Sequence, residues 1–182
     1  MVFALFGWMI RKIFVDFHQS DHYNLWHKEI RIMEFLKINI NPKNKKTTDC
    51  AVRAVAQACN TPYDKAAKEL FDAWMETGYE MTEPRVIAKV LSHYGFIQMG
   101  KPKHANKKTY SVKELCDELG KGHIILAQVA GHYTVLKGDK LLDLWDCSEK
   151  SVYRYFIKPA KSPRELAPLG KVLEDKKKRR VL

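Results

Sequence analysis

Apolar residues recur at helical spacing from residue 50 to residue 119, and beyond Gly122 the pattern changes to that of strands. The run Ala51-Val52, Ala54-Val55-Ala56 and Ala58 is apolar almost all round, which predicts a helix buried in the middle of a domain. Thr47, Thr48 or Asp49 is placed to cap it, and it should run through Cys59. Thr61-Pro62 opens a second helix with proline at its first position, extending to about Glu76 with Leu70, Phe71 and Trp74 on the buried face. Thr82-Glu83-Pro84 opens a third, which ends at Tyr94 with Gly95 as its stop. Phe96–Met99 reads as a short strand and Lys101–Lys108 as a basic loop. Ser111 and Glu114 form a capping box for a short helix closed by Gly120.

The runs His123–Val129, His132–Lys137, Lys140–Asp146 and Val152–Ile157 are rich in β-formers and separated by short turns, so they predict an antiparallel sheet. Helices first and strands second is an α+β pattern, and the chain has no internal repeat. Gly138-Asp139 predicts a two-residue hairpin that sets Lys137 opposite Lys140. In that register Thr134 faces Asp143 and His132 faces Trp145, and the four side chains share one face of the sheet. A bulge or one extra loop residue would reverse the parity and bring Asp146 forward in place of Asp143.

Composition narrows the class. A chain of 182 residues suits one domain with appendages, and 46% hydrophobic with 29% charged residues is the balance of a soluble globular protein. The net charge of +11 is uneven. Residues 159–182 form a basic tail with few large apolar residues, containing the run Lys176-Lys177-Lys178-Arg179-Arg180 and suited to weak contact with nucleic acid or another acidic partner. Residues 1–38 read as an N-terminal extension to a domain spanning 39–158. Met33 would suit a second start, with the functional domain beginning near Phe35. The apolar start Met1–Ile10 is too short for a transmembrane segment and lacks the basic region that precedes a secretory signal. His18 and His22 share helical spacing, but with His27 they have no cysteine or second pair to complete a site, so no metal is expected.

The four cysteines show neither CxxC pairs nor the density of a disulfide scaffold, and a reducing cytoplasmic compartment is the expectation. Cys50 differs from the others by its place at the mouth of a predicted helix. A thiol attacks only as thiolate, and orphan N–H groups with the positive end of the helix dipole favour that form. They also offer an oxyanion site beside the sulfur. A histidine must take the proton and return it to the leaving group, and His132, between Gly131 and an alternating strand, fits that role. Asp143 is its diagonal neighbour and can orient the ring; Asp146 is the alternative acid. Trp145 would shield the pair or line a substrate groove, with simple core packing as the equal alternative. Cys59 and Cys116 read as small buried hydrophobes and Cys147 as incidental. His123 reads as structural, His93 and His104 as solvated, and Arg53 as a partner for Asp49 or a sheet acid.

Asn44, Asp49-Cys50, Gly131-His132-Tyr133-Thr134-Val135-Leu136 and Asp143, in that order, resemble the papain-like peptidases that trim double-glycine leaders from bacteriocins. The similarity covers roughly residues 39–158 and implies a papain-like fold, in which a buried nucleophile helix packs on a C-terminal antiparallel sheet. Such compact domains occur in bacterial and phage genomes. The resemblance implies Cys50 as nucleophile, His132 as general base and acid, and Asp143 as the acid that orients the histidine. Asn44 stands where that family has its oxyanion-hole glutamine, and is one methylene shorter. Small cell-wall cysteine endopeptidases share the Asp-Cys and Gly-His pairs but follow the cysteine with Ser-Gly, where this chain has Ala51-Val52.

These features predict a cytoplasmic thiol hydrolase acting on an amide of a peptide or protein substrate through an acyl-enzyme, with no metal or organic cofactor. Acyl transfer and side-chain amide hydrolysis use the same machinery. A different class of function is an inactive papain-like module that binds a protein or nucleic acid through Lys43, Lys45, Lys46, Arg53, the Lys101–Lys108 loop and the tail. Aromatic residues are not interleaved with these as in single-strand binders. A structural role in a phage particle is a third option.

Overall fold

The computed structural model describes residues 33–46, 48–162 and 164–169, which lie within the compact unit Ile32–Leu182. His18, His22, His27, the apolar start and the basic end of the tail lie outside the described residues.

Four helices and a six-stranded sheet make an α+β fold among these residues. The helices are α1 (Cys50–Cys59), α2 (Tyr63–Thr77), α3 (Pro84–His93) and α4 (Val112–Leu119). The strands are β1 (Glu34–Lys37), β2 (Ile97–Met99), β3 (His123–Val129), β4 (His132–Lys137), β5 (Lys140–Asp143) and β6 (Arg154–Pro159), in the order β1-β5-β4-β3-β6-β2. Each helix stops for a local reason. Asn60 takes the left-handed conformation after α1, where asparagine is tolerated, and the Thr61 N–H closes onto the Ala56 carbonyl at 3.0 Å. Gly78, at φ +72°, ends α2. Ser111 and Glu114 form the expected capping box at the start of α4.

Helices cover both faces of the sheet. Val55 of α1, Leu70 of α2 and Ile87 of α3 pack with Ile124, Leu126, Val135, Leu142 and Phe156. On the other face Val112 and Leu115 of α4 pack with Ile125, Leu136, Leu141 and Cys147. Strands β3 and β4, central and buried on both sides, therefore read as nearly continuous apolar runs.

The structure corrects several expectations. The sheet is mixed: β1 runs parallel to β5, with Phe35 opposite Leu141 and Leu36 opposite Leu142. Residues 34–37 therefore form an edge strand of the domain, and the boundary at residue 38 cuts through the fold. A short β-run flanked by aromatic and polar sequence gave no sign of its distant partner. Strand β5 ends at Asp143 and not at Asp146, because the Leu144 N–H turns back onto Asp143 Oδ1 at 2.7 Å and leaves the ladder. The buried stripe of α2 is Ala66, Leu70 and Ala73, while Phe71 and Trp74 are 47% and 38% exposed. The small alanines let α2 sit close against its neighbours, and the two aromatic rings pack edge to face on the outside. The start of the tail is also part of the body. Leu169 is buried and its N–H reaches Gln57 Oε1 at 3.2 Å, and the Ala167 carbonyl accepts from Lys137 Nζ at 3.0 Å.

Candidate active site

Helix α1 delivers Cys50 as its first residue, with Asp49 as N-cap. The carboxylate of Asp49 does not cap the helix, contrary to one of the sequence expectations. It accepts instead from Arg53 Nε at 2.9 Å, Asn41 Nδ2 at 2.7 Å and the Tyr63 hydroxyl at 3.1 Å. Two consequences reach the sulfur. The first-turn N–H groups are not occupied by the N-cap side chain, and the negative charge next to Cys50 is paired with a buried guanidinium.

Strands β4 and β5 deliver the other two groups. The hairpin has the expected register, with Lys137 opposite Lys140 and Val135 opposite Leu142. His132 and Asp143 are therefore diagonal neighbours, and the His132 Nε2–H donates to Asp143 Oδ2 at 2.7 Å. Asp143 is itself fixed from several sides. Its Oδ1 accepts from Leu144 N–H, its carbonyl accepts from Ile38 N–H at 2.7 Å, and the Cys147 thiol lies 3.8 Å from its Oδ2. Only 4% of the Asp143 side chain is exposed, so the bond to His132 is made where water competes weakly.

With Nε2 committed to Asp143, Nδ1 is the ring nitrogen left to face the sulfur, and His132 acts on the Cys50 thiol electrostatically. Burial pushes the Cys50 thiol up, but the imidazole of His132, the backbone N–H of Tyr133 and the charge of Arg53 bring it below its ordinary value. Burial opposes the charge on His132 as well. The bond to Asp143 and the influence of Cys50 outweigh it and raise the imidazole to about 9. In the remaining thiols burial is the largest influence and has no such opposition: Cys59, Cys116 and Cys147 are pushed up to about 12. One thiol of four is held toward thiolate, and it is the one beside a cationic imidazole.

Trp145 lies against His132 with ring centroids 5.3 Å apart at 44°, and is 42% exposed, so it covers one side of the imidazole from the surface. Asp146 is off the strand and exposed, its Oδ1 taking the Ser148 N–H at 2.9 Å. Asn44 is exposed in the left-handed region at φ 52°, with its Oδ1 held by Asn39 Nδ2 at 2.9 Å. It is not among the residues that line the cavity at Cys50, which include Ile38, Ile40, Arg53, Tyr133, Thr134 and Asp143. His123 Nδ1 contacts the Lys121 carbonyl at 2.7 Å, and His104 stacks on Tyr110, 3.4 Å from Glu114. Cys147, read as incidental, touches the candidate triad acid. The Tyr133 amide was also missed, since a backbone donor leaves no mark in side-chain chemistry.

No family model, curated protein or solved structure matches the chain. Among the described residues no helix is long and apolar enough to cross a membrane.

Proposed function

We propose that this protein is a cysteine-dependent amide hydrolase, a thiol peptidase of papain-like arrangement. The observation that carries the reading is the 2.7 Å bond from His132 to buried Asp143 next to Cys50, and with it the thiol pKa is lowered and the imidazole pKa raised. A binding module has no need of a thiol poised in this way.

In the proposed reaction the Cys50 thiolate attacks the carbonyl carbon of the amide, and the developing oxyanion is stabilised by N–H groups at the start of α1. The imidazolium of His132 gives its proton to the departing amine as the C–N bond breaks, leaving a thioester. Neutral His132 then takes a proton from water, whose oxygen attacks the thioester; the acid product leaves and the thiolate–imidazolium pair returns. Asp143 keeps Nε2 protonated and the ring turned to the sulfur throughout. Burial of Asp143 and the cover of Trp145 keep the pair partly dry, which strengthens both interactions.

The test is reaction with a small neutral electrophile at pH 7, followed by peptide mapping. Cys50 should react well ahead of a free thiol and of the other three cysteines. Cys50→Ala should lose this reaction and any hydrolysis of peptide substrates while keeping its circular dichroism. A Cys50 no faster than free cysteine would refute the reading.

A further inference from the structure

The acids beside Cys50 and His132 are each answered by a cation: Asp49 by Arg53 at 2.9 Å and Asp143 by His132 at 2.7 Å. The lysines of the loop that precedes the nucleophile have no such partner. Lys43, Lys45 and Lys46 are exposed, and their side chains make no ion pair among the described residues. Their loop is held against the site by its own asparagines. Asn39 Nδ2 donates to Asn44 Oδ1 at 2.9 Å and to the Lys45 carbonyl at 3.0 Å. Asn41 Oδ1 accepts the Lys43 N–H at 2.9 Å, while Asn41 Nδ2 reaches Asp49, the residue before Cys50, at 2.7 Å. Ile38 and Ile40, on either side of Asn39, line the same cavity as Cys50. The loop that carries these three exposed lysines is thus anchored to the residue before Cys50. On the Trp145 side the exposed acid is Asp146, which turns one oxygen to the Ser148 amide.

We infer that the substrate is a peptide segment carrying carboxylates beside the scissile amide, drawn to the cleft by Lys43, Lys45 and Lys46. This rests on the thiol-hydrolase reading and adds the substrate's charge to it. Unpaired charges of one sign near a partly dry cleft raise the local concentration of an oppositely charged ligand, over a Debye length of about 8 Å at physiological salt. A peptide is favoured over nucleic acid because the group poised to react is an acyl-accepting thiol, and an acyl donor is what it needs.

The experiment compares alkylation of Cys50 by iodoacetate and iodoacetamide in the full chain, wild type against K43Q/K45Q/K46Q, by peptide mapping. Both reagents meet the same thiolate, so their rate ratio is independent of its population and reads the charge at the mouth. The ratio should fall several-fold in the variant, and should fall in the wild type as salt is raised. A Glu-rich peptide should protect Cys50 from iodoacetamide better than a Lys-rich one. An unchanged ratio in the variant, or protection by an oligonucleotide and not by the Glu-rich peptide, overturns the inference. Slow reaction with both reagents is a separate result: it overturns the hydrolase reading while the ratio still reports on the lysines.

Discussion

The backbone N–H of Tyr133 lowers the pKa of Cys50 from the side of β4 on which β5 has already ended. Amides at alternate positions of a strand point the same way, so Lys137, Val135 and Tyr133 all present theirs toward β5. Lys137 and Val135 find β5 partners in Lys140 and Leu142; the strand stops at Asp143, and the next donor is left for the nucleophile. The other end of this relationship is equally local, since the Tyr133 ring is pinned by its hydroxyl to the Thr82 carbonyl at 2.9 Å. Converting the amide between His132 and Tyr133 to an ester removes the donor and leaves every side chain in place. A hydrogen bond to a charged group contributes about 1.5–3 kcal/mol, so the Cys50 pKa should rise by about 1–2 units, read from the pH dependence of alkylation.

Asp143→Asn keeps the shape of the acid and removes its charge. The proton on His132 then loses its strongest support, and hydrolysis should fall by about 10²–10⁴-fold. In the wild type the active thiolate–imidazolium pair exists between the lowered pKa of Cys50 and the raised pKa of His132. The rate profile should therefore rise on the acid side below the ordinary thiol range and decline through about 9. In the variant the basic limb should move to lower pH. A basic limb that stays in place would show that Asp143 does not set the histidine's charge.

Lys137 is 1% exposed, bonded to Asn60 Oδ1 and the Ala167 carbonyl, and burial lowers its pKa to about 7 from 10.5. Between those values the unfolded chain holds a proton that the folded chain has released. Stability from this residue therefore rises with pH across that window, by about 1.4 kcal/mol per unit. His132 acts with the opposite sign: the folded chain keeps its proton up to about 9 against 6.5, so that contribution is lost as pH rises through about 9. The difference between wild type and Lys137→Met isolates the lysine. Urea melts from pH 7 to 10 should show the wild type gaining on the variant; a constant difference would mean that the amine is charged in the fold.

A chain beginning at Met33 retains β1, whereas one beginning at Asn39 loses four paired residues, the Leu36 contact with the core and the Ile38 N–H that holds the Asp143 carbonyl. The shorter chain should melt at lower temperature and lose the fast reaction of Cys50. The chain from Met33 should keep both. Equal melting of the two would show that β1 contributes nothing to the sheet.

Period and punctuation made much of this molecule legible. The all-apolar stripe of α1, the proline and glycine stops, the capping box of α4 and the Gly138-Asp139 hairpin are short-range features, decided by residues within a turn or two of each other. The same hairpin register made the His132–Asp143 pair readable, because a two-residue turn leaves no freedom in which residues face. Phe71 and Trp74 went astray because helical spacing says which residues share a face but not which of two adjacent stripes a neighbour will cover.

The order of residues along the chain thus determined the helices, the hairpin and the identity of the three candidate groups, since each depends on local spacing. Tertiary structure alone decided the rest. It turned Asp49 from a helix cap into an ion-pair partner for Arg53, brought β1 alongside β5, and ended β5 where the Tyr133 amide becomes available to the sulfur. Above all it set a cationic imidazole against one thiol of four, and burial raises a thiol's pKa unless such a partner is there to reverse it.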